Sequence, residues 1–322
     1  MVDFRYHLVS LVSVFLALAV GIILGAGPLQ GSLGNELSGQ LDSLRASRDD
    51  MRTQLDTANA QLDAANTAVL AAGEQLTAGT LKGQRIGFAV TPDASDEDIQ
   101  KVQQEITKAG GSVSGVVSLT EAFSDAATSS YRSTIADSLT QYLTDVPDNA
   151  STEETLGRAV ATALRGDPSD SNVSAILTTL SSGDNPLIQT AATPKAAATA
   201  VVLVTPSLPA DTSDTSTTPS ADASAAALES ANATTYRAAF AGMSAVGPSV
   251  AIGGGDDDLL AAIRGEGSGS TVDSLGTDTA TINTVLALGA ELSGKHEALG
   301  SEKGADAAIG TRYTPSAESS SK

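Results

Sequence analysis

The hydrophobic pattern of the first eighty residues changes from one continuous apolar run to a seven-residue repeat. No formal charge occurs from Tyr6 to Asn35, and residues 8–24 are almost wholly apolar. Continued to Leu29, this run is long enough to cross a hydrocarbon core of about 30 Å as a helix. The pattern therefore predicts a membrane anchor over residues 1–31.

A cleaved signal peptide is the alternative interpretation of the same run. Its single basic residue, Arg5, is opposed by Asp3, and Pro28 would directly follow the best small-residue cleavage site. The length of the run favours an uncleaved anchor. Because Arg5 precedes the span and the next basic residue is Arg45, the positive-inside rule predicts a cytoplasmic amino terminus. We expect a cell-membrane protein whose bulk lies on the extracytoplasmic, periplasmic side.

A heptad repeat follows the apolar run and predicts a coiled coil over residues 32–80. Apolar residues recur there at alternating steps of four and three. A helix of this length would extend about 60 Å at 1.5 Å per residue. Arg48 at a core position weakens packing, but it can fix the register or leave a docking point for a partner. The predicted seam comprises Leu37, Leu41, Leu44, Arg48, Met51, Leu55, Leu62, Val69 and Leu76, with Ala58, Ala65 and Ala72 at its remaining positions.

Small residues in the apolar run offer a second contact between two copies of the chain. Ala17, Gly21 and Gly25 repeat at four-residue spacing, which lets two membrane helices approach closely. Because the heptad repeat follows directly, we predict a parallel homodimer. The alternative is a single amphipathic helix that packs on its own domain.

Short apolar strands alternate with helical patterns over residues 81–300 and predict an exported α/β domain. Ser95 is the predicted N-cap of the first helix, with Asp98 three residues later. The order predicts an open, mostly parallel, three-layer α/β sheet with right-handed crossovers. Strands are predicted at 85–90, 113–119, 200–204 and 249–252, with a weaker fifth at 271–272, and helices at 131–143, 152–164, 172–180, 221–241 and 279–292.

Two segments are too polar and too rich in turn-forming residues to predict regular structure. Residues 205–220 contain three prolines among Ser, Thr and Asp, which predicts a flexible loop inside the domain. Residues 301–322 are predicted to form a disordered tail.

Composition excludes several classes of function. The 18 Lys and Arg against 38 Asp and Glu give a net charge of −20, which argues against binding nucleic acid. Without cysteine, the chain has no thiol nucleophile, disulfide or iron–sulfur ligand. Neither His7 nor His296 has the neighbours of a catalytic triad, and no P-loop or nucleophile elbow occurs. We therefore predict neither an enzyme nor a resident cofactor.

A glycine- and aspartate-rich loop at residues 253–258 is the candidate chemical site. It follows a predicted strand, where α/β sheets place ligands. Asp256, Asp257 and Asp258 could offer oxygen ligands to a divalent cation, whereas their charge would repel a phosphate. The alternative is helix capping, with Asp256 as the N-cap and the other two carboxylates in the first turn.

The amino-terminal sequence resembles the actinobacterial copper transport protein family, MctB. The similar residues are Arg5-Tyr6-His7-Leu8-Val9-Ser10-Leu11 and the apolar run after them, together with the strand at residues 85–90 and the helix around residues 281–288. The resemblance implies an envelope protein of the kind described as an outer-membrane copper channel. It also implies a role in envelope maintenance and daughter-cell separation beside a membrane partner.

The residues favour a scaffold over a copper carrier. Copper prefers Cys, Met and His ligands, and this chain has no Cys, two isolated His, and Met1, Met51 and Met243 far apart in sequence. We predict a dimeric scaffold that presents the α/β domain to an envelope or cell-division partner. The alternative is copper transport, efflux or tolerance across the cell envelope, which the family name implies.

Overall fold

The computed structural model describes residues 4–206, 219–254 and 258–313, except for the side chains of residues 4, 26–38, 219–231 and 258. The first element, α1, is one helix over Phe4–Thr77. The chain forms two compact units, Met1–Asn66 and Thr67–Lys322, and the boundary between them falls within this helix. The helix ends just before Gly79, whose φ of 72° is the left-handed conformation that commonly terminates helices and that glycine adopts without strain.

A seven-strand sheet forms the centre of the second unit within the described part of the chain. The strand order is β3-β2-β1-β4-β5-β6-β7, and each neighbouring pair is parallel except β2 with β3. The predicted mostly parallel sheet is confirmed. The strands are β1 (Arg85–Val90), β2 (Ser112–Leu119), β3 (Ile188–Ala192), β4 (Ala200–Val204), β5 (Ser249–Ile252), β6 (Ser270–Val272) and β7 (Ala298–Leu299).

In the described part of the chain, seven further α-helices connect and cover these strands. They are α2 (Asp96–Lys108), α3 (Ser129–Leu139), α4 (Thr152–Arg165), α5 (Ser171–Ser181), α6 (Pro219–Val246), α7 (Asp258–Glu266) and α8 (Asp278–Leu292). Ser95 caps α2 as predicted, since its hydroxyl accepts a hydrogen bond from the Asp98 amide at 3.4 Å. Thr277 caps α8 in the same way, through the Ala280 amide at 3.2 Å.

The period-two alternation of the central strands separates two hydrophobic cores. In β1, Ile86, Phe88 and Val90 lie in the core with α2, α8 and the residues at the end of α1, whereas Ala89 lies in the core with α3–α7. In strand β4, Val202 likewise lies in the core with α2 and α8, and its neighbour Leu203 lies in the core with α3–α7. This burial on both faces explains why the central strands are continuous apolar runs, and it gives the three layers that the sequence predicts.

Helices α4 and α6 approach each other through two glycines. A Cβ added at Gly157 of α4 would overlap the carbonyl oxygen of Ala239, and one added at Gly242 of α6 would overlap that of Glu154. Backbone therefore packs on backbone at this crossing. No side chain larger than hydrogen fits at either position without separating the helices.

The structure differs from the sequence prediction at the edges of the sheet and in two polar segments. Neither β3 nor β7 was predicted, because four of the five β3 residues are exposed and β7 has only two residues. Residues 301–313 of the predicted disordered tail make defined contacts with the domain. Within the predicted loop, residues 205–206 follow β4, residues 219–220 begin α6, and residues 207–218 lie outside the described part.

Candidate functional site

The amino-terminal part of α1 is apolar on every side. Its segment Arg5–Gly25 has a mean hydropathy of 2.7 and is long enough and apolar enough to cross a membrane. Ala17, Gly21 and Gly25 recur on one face of it, and a Cβ at either glycine would meet nothing within 4 Å. This small-residue face is accessible to a second helix.

The heptad face of α1 is uncovered between residues 41 and 62. Its large side chains are exposed, with Leu55 at 60% and Leu62 at 59%. Arg48 forms an ion pair with its sequence neighbour Asp49 at 3.0 Å, and both side chains are largely exposed. Among the described residues outside α1, the one exposed large hydrophobic side chain is Ile309. Leu41, Leu44 and Met51 are the other exposed seam residues, and the side chain of Leu37 lies outside the described part.

The last heptad positions of α1 contact the α/β domain of their own chain. Val69 and Leu76 pack against the core that also contains β1, α2 and α8. Gly73 lies so close to Ile282 of α8 that an added Cβ would overlap that side chain. Thr77 is buried and donates a hydrogen bond to Glu105 of α2 at 3.2 Å. The alternative of packing on the chain's own domain thus holds for this end of the repeat.

The predicted acidic site lies largely outside the described residues. Asp256 and Asp257 are not described, and Asp258 is the first residue of α7, without a described side chain. The first two of the three glycines before them are held by backbone hydrogen bonds: Gly253 donates to Val272 at 3.1 Å and Gly254 to Pro206 at 2.7 Å. The choice between capping and cation binding therefore stays a prediction.

A buried ion pair lies at the carboxyl end of β6. Arg264 of α7 donates to Asp273 at 2.8 Å, and both side chains are almost fully buried. Asp273 also accepts from the Ser274 hydroxyl and from the amides of Ser301 and Glu302. Burial by itself raises the pKa of Asp273, but these hydrogen bonds outweigh it and hold the pKa below its ordinary value of 3.8. The pair fixes the chain after β7 and has a structural role.

We expect Asp273→Asn to destabilise the domain by about 3–5 kcal/mol at neutral pH, because the change leaves Arg264 buried without its counter-ion. The folded-state pKa is depressed, so the contribution of Asp273 is complete above pH 3.8 and is lost as the pH falls below that value. Denaturant unfolding at several pH values measures this difference, with the exposed Asp137→Asn as control. Equal stabilities of Asp273→Asn and wild type at pH 7 would contradict the prediction.

Met and His side chains have different surroundings among the described residues. Met243 is fully buried in the core, and Met51 is exposed on α1. The imidazole of His296 lies 2.7 Å from Glu291, which also accepts the Ser270 amide. Within the described residues, no group of three His, Cys, Asp or Glu is placed to hold a metal ion.

A cavity of about 470 Å³ lies between the carboxyl end of β2 and the loop before β3. No His, Lys or Arg lines it, and its polar side chains are those of Ser118, Thr120, Glu121, Asp184, Asn185 and Gln189. The lining can accept hydrogen bonds from a polar ligand. It provides no cation for an anionic one.

A family model described as "Copper transport outer membrane protein, MctB" matches residues 1–309. The chain belongs to the MctB family. The match includes the apolar helix, the heptad repeat and every strand described above. Membership places the chain in a family of the cell envelope whose description is copper transport.

Curated relatives in mycobacteria are named as copper transporters and match over shorter alignments. The chain is 46% identical over 140 residues to "Copper transporter MctB" of Mycobacterium leprae, covering 43% of this chain and 44% of that protein. It is 32% identical over 126 residues to the protein of that name in Mycobacterium tuberculosis, covering 39% and 40%. The chain therefore aligns with less than half the length of these MctB relatives.

The sequence prediction missed several residues that organise the described domain. Asn283 lies fully buried in α8, and both ends of its amide bind the backbone of residues 308–310. An amide side chain inside a mostly apolar helical pattern could have indicated such an anchor. The partners of Arg264 and of Gly157 are distant in sequence, and no local pattern predicts them.

Proposed function

We propose that this MctB family member is a single-pass envelope protein that dimerises in parallel through α1 and presents its α/β domain to envelope or cell-division partners. The observation that carries the proposal is the uncovered heptad face between residues 41 and 62. A row of leucine and methionine side chains at heptad spacing is unfavourable in water, and packing against a second helix removes it from water. The domain offers no comparable apolar surface among its described residues.

A second copy is the occupant that fits this face. The small-residue face at Ala17, Gly21 and Gly25 would bring two identical helices together in the bilayer. Both copies would then enter the aqueous side in parallel and in the same register. The small-residue face and the heptad seam lie on one continuous helix. Association through either surface therefore raises the effective concentration of the other surface.

The partner role is tested by crosslinking in living cells, with identification of the proteins captured by the full-length chain. We expect envelope or division proteins to be captured by wild type and lost when Leu55 and Leu62 are both replaced by aspartate. The variant with Thr53→Asp and Ala60→Asp, on the opposite helix face, is the matched control. Capture of no envelope protein by wild type, or equal capture by the seam variant, would overturn the dimeric scaffold.

The topology follows from the Lys and Arg bias around the apolar helix. We expect an amino-terminal tag to resist protease added to spheroplasts and a carboxy-terminal tag to be digested. The mass of the membrane-extracted protein should correspond to a chain that retains residues 1–31. The opposite protection pattern would reverse the proposed orientation, and a mass lacking the apolar segment would replace the anchor by a cleaved signal.

Copper transport or tolerance is the second candidate, and the names of the family and its relatives favour it. The donor set of the chain, with no Cys, two His and three Met, supports only weak copper binding. Calorimetric titration of the full chain in detergent with Cu(I) should therefore give a dissociation constant above about 1 μM. Sub-micromolar affinity that falls in a Met51→Leu or His296→Gln variant would favour a direct role in copper handling.

A further inference from the structure

The residues after β7 return across the domain to the end of α1. Ala307 forms a bridge with Leu299, and its carbonyl accepts the Gly300 amide at 2.9 Å. Six residues later, Tyr313 lies beside α8. We call residues 307–313 the carboxy-terminal strap. It connects the edge of the sheet with the point where α1 joins the domain.

A buried amide anchors the middle of the strap. Asn283 is 1% exposed in α8, a helix whose other inward residues are mostly apolar. Its Nδ2 donates to the Ala308 carbonyl at 2.9 Å, and its Oδ1 accepts the Gly310 amide at 3.1 Å. A buried amide without hydrogen-bond partners is strongly unfavourable. Asn283 is tolerated in the core because the strap provides a partner for each end of its amide.

Glycines allow the strap to cross α8 at close range. A Cβ at Gly289 of α8 would lie 2.9 Å from the carbonyl oxygen of Tyr313 and 2.8 Å from Thr80, just after α1. A Cβ added at Gly310 would lie 3.1 Å from the Cβ of Leu286. The strap, α8 and the end of α1 therefore meet at one tightly packed place.

The end of the strap caps α1. The last turn of α1 contains no basic residue. Arg312 supplies that charge from the other end of the chain, donating to the carbonyls of Gln75 at 3.2 Å and Ala78 at 2.6 Å. A cation at the carboxyl end of a helix satisfies free carbonyls and opposes the helix dipole. The ammonium of Lys295 lies 4.4 Å from the ring centre of Tyr313 and holds the next residue.

We propose that the strap is a latch that controls how firmly residues 67–77 of α1 are held on the α/β domain. When it is closed, Arg312 and Asn283 fix the strap over the α1–α8 contact. When it opens, Gly73 still contacts Ile282 and Thr77 still contacts Glu105. The strap then no longer covers the α1–α8 contact, and Arg312 no longer caps α1. Opening therefore loosens the end of α1 without unfolding the sheet. This inference does not depend on dimerisation or on the identity of a partner.

Hydrogen exchange measured by mass spectrometry on the full chain in detergent micelles tests the latch. We expect Arg312→Gln and Asn283→Leu each to raise exchange in residues 67–80 by about tenfold or more, while β1 and β4 keep their wild-type protection. Asn283→Leu fills the core with an apolar side chain of similar size, so α8 remains packed when the anchor is lost. Lys303→Gln removes an exposed charge from the neighbouring turn and should leave residues 67–80 unchanged.

Two results would overturn the latch. Unchanged exchange in residues 67–80 in both variants would mean that the strap does not hold the end of α1. An equal rise in β1, β4 and residues 67–80 would mean that the strap contributes only to the global stability of the domain. A rise confined to residues 67–80 and the strap supports the proposal.

Discussion

Replacing Leu55 and Leu62 together by aspartate is expected to dissociate the proposed dimer into monomers. Each buried leucine contributes roughly 1.5–3 kcal/mol, and a parallel dimer contains four of these side chains, so about 6–12 kcal/mol of association free energy is lost. Four carboxylates at facing core positions also repel one another. The dissociation constant should rise by about four orders of magnitude or more.

Analytical ultracentrifugation of the full chain in detergent micelles measures this change. The control carries Thr53→Asp and Ala60→Asp, which add the same charges on the opposite face of the helix and should leave the dimer intact. Arg48→Leu should tighten the dimer, because it replaces a charged core position with an apolar one. If the wild type is monomeric at tens of micromolar, the exposed leucines must be covered by something other than a second copy.

Gly157→Ala is expected to destabilise the domain strongly. The new Cβ would overlap the carbonyl oxygen of Ala239, so α4 and α6 would have to separate along the contact that they share. Overpacking of this kind destabilises by about 1–3 kcal/mol or more, and we expect a loss of about 3 kcal/mol, because the obstructing atom is backbone and cannot change rotamer. Gly242→Ala should behave similarly, since its Cβ would overlap the carbonyl of Glu154.

Denaturant unfolding followed by circular dichroism measures the loss. Gly265→Ala in α7 is the matched control, because a Cβ there meets nothing within 4 Å. That substitution should be neutral or should stabilise by about 0.5–1 kcal/mol through helix propensity. Equal unfolding midpoints for Gly157→Ala and Gly265→Ala would show that α4 and α6 do not pack at this distance.

The central part of the fold could be predicted because its signals are local. The apolar runs of β1, β4 and β5 mark strands buried on both faces, and Ser95 marks the start of α2. Edge strands lack this signal. Strand β3 buries only Ile188, and β7 pairs with β6 over two residues, so neither shows an apolar run or an alternation.

The carboxy-terminal strap and the covered end of the heptad repeat depend on contacts between residues that are distant in sequence. Arg312 caps a helix more than two hundred residues away, and Asn283 binds a segment whose composition is typical of disorder. The heptad repeat could be read from sequence, but its division into a covered and an uncovered part could not. That division depends on Gly73, which lets Ile282 approach α1, and a glycine in a helix does not show what it contacts.

Single-cysteine crosslinking in native membranes tests the parallel dimer most directly, and the chain is suited to it because it contains no cysteine. A disulfide requires Cα atoms about 4.4–6.8 Å apart, which facing core positions of a parallel, in-register coiled coil approach and outer positions do not. We expect Leu41→Cys, Leu55→Cys and Leu62→Cys each to form disulfide-linked dimers on mild oxidation, whereas Ala60→Cys stays monomeric. Absence of crosslinking at all three seam positions, or equal crosslinking at Ala60→Cys, would contradict a parallel dimer formed through this face.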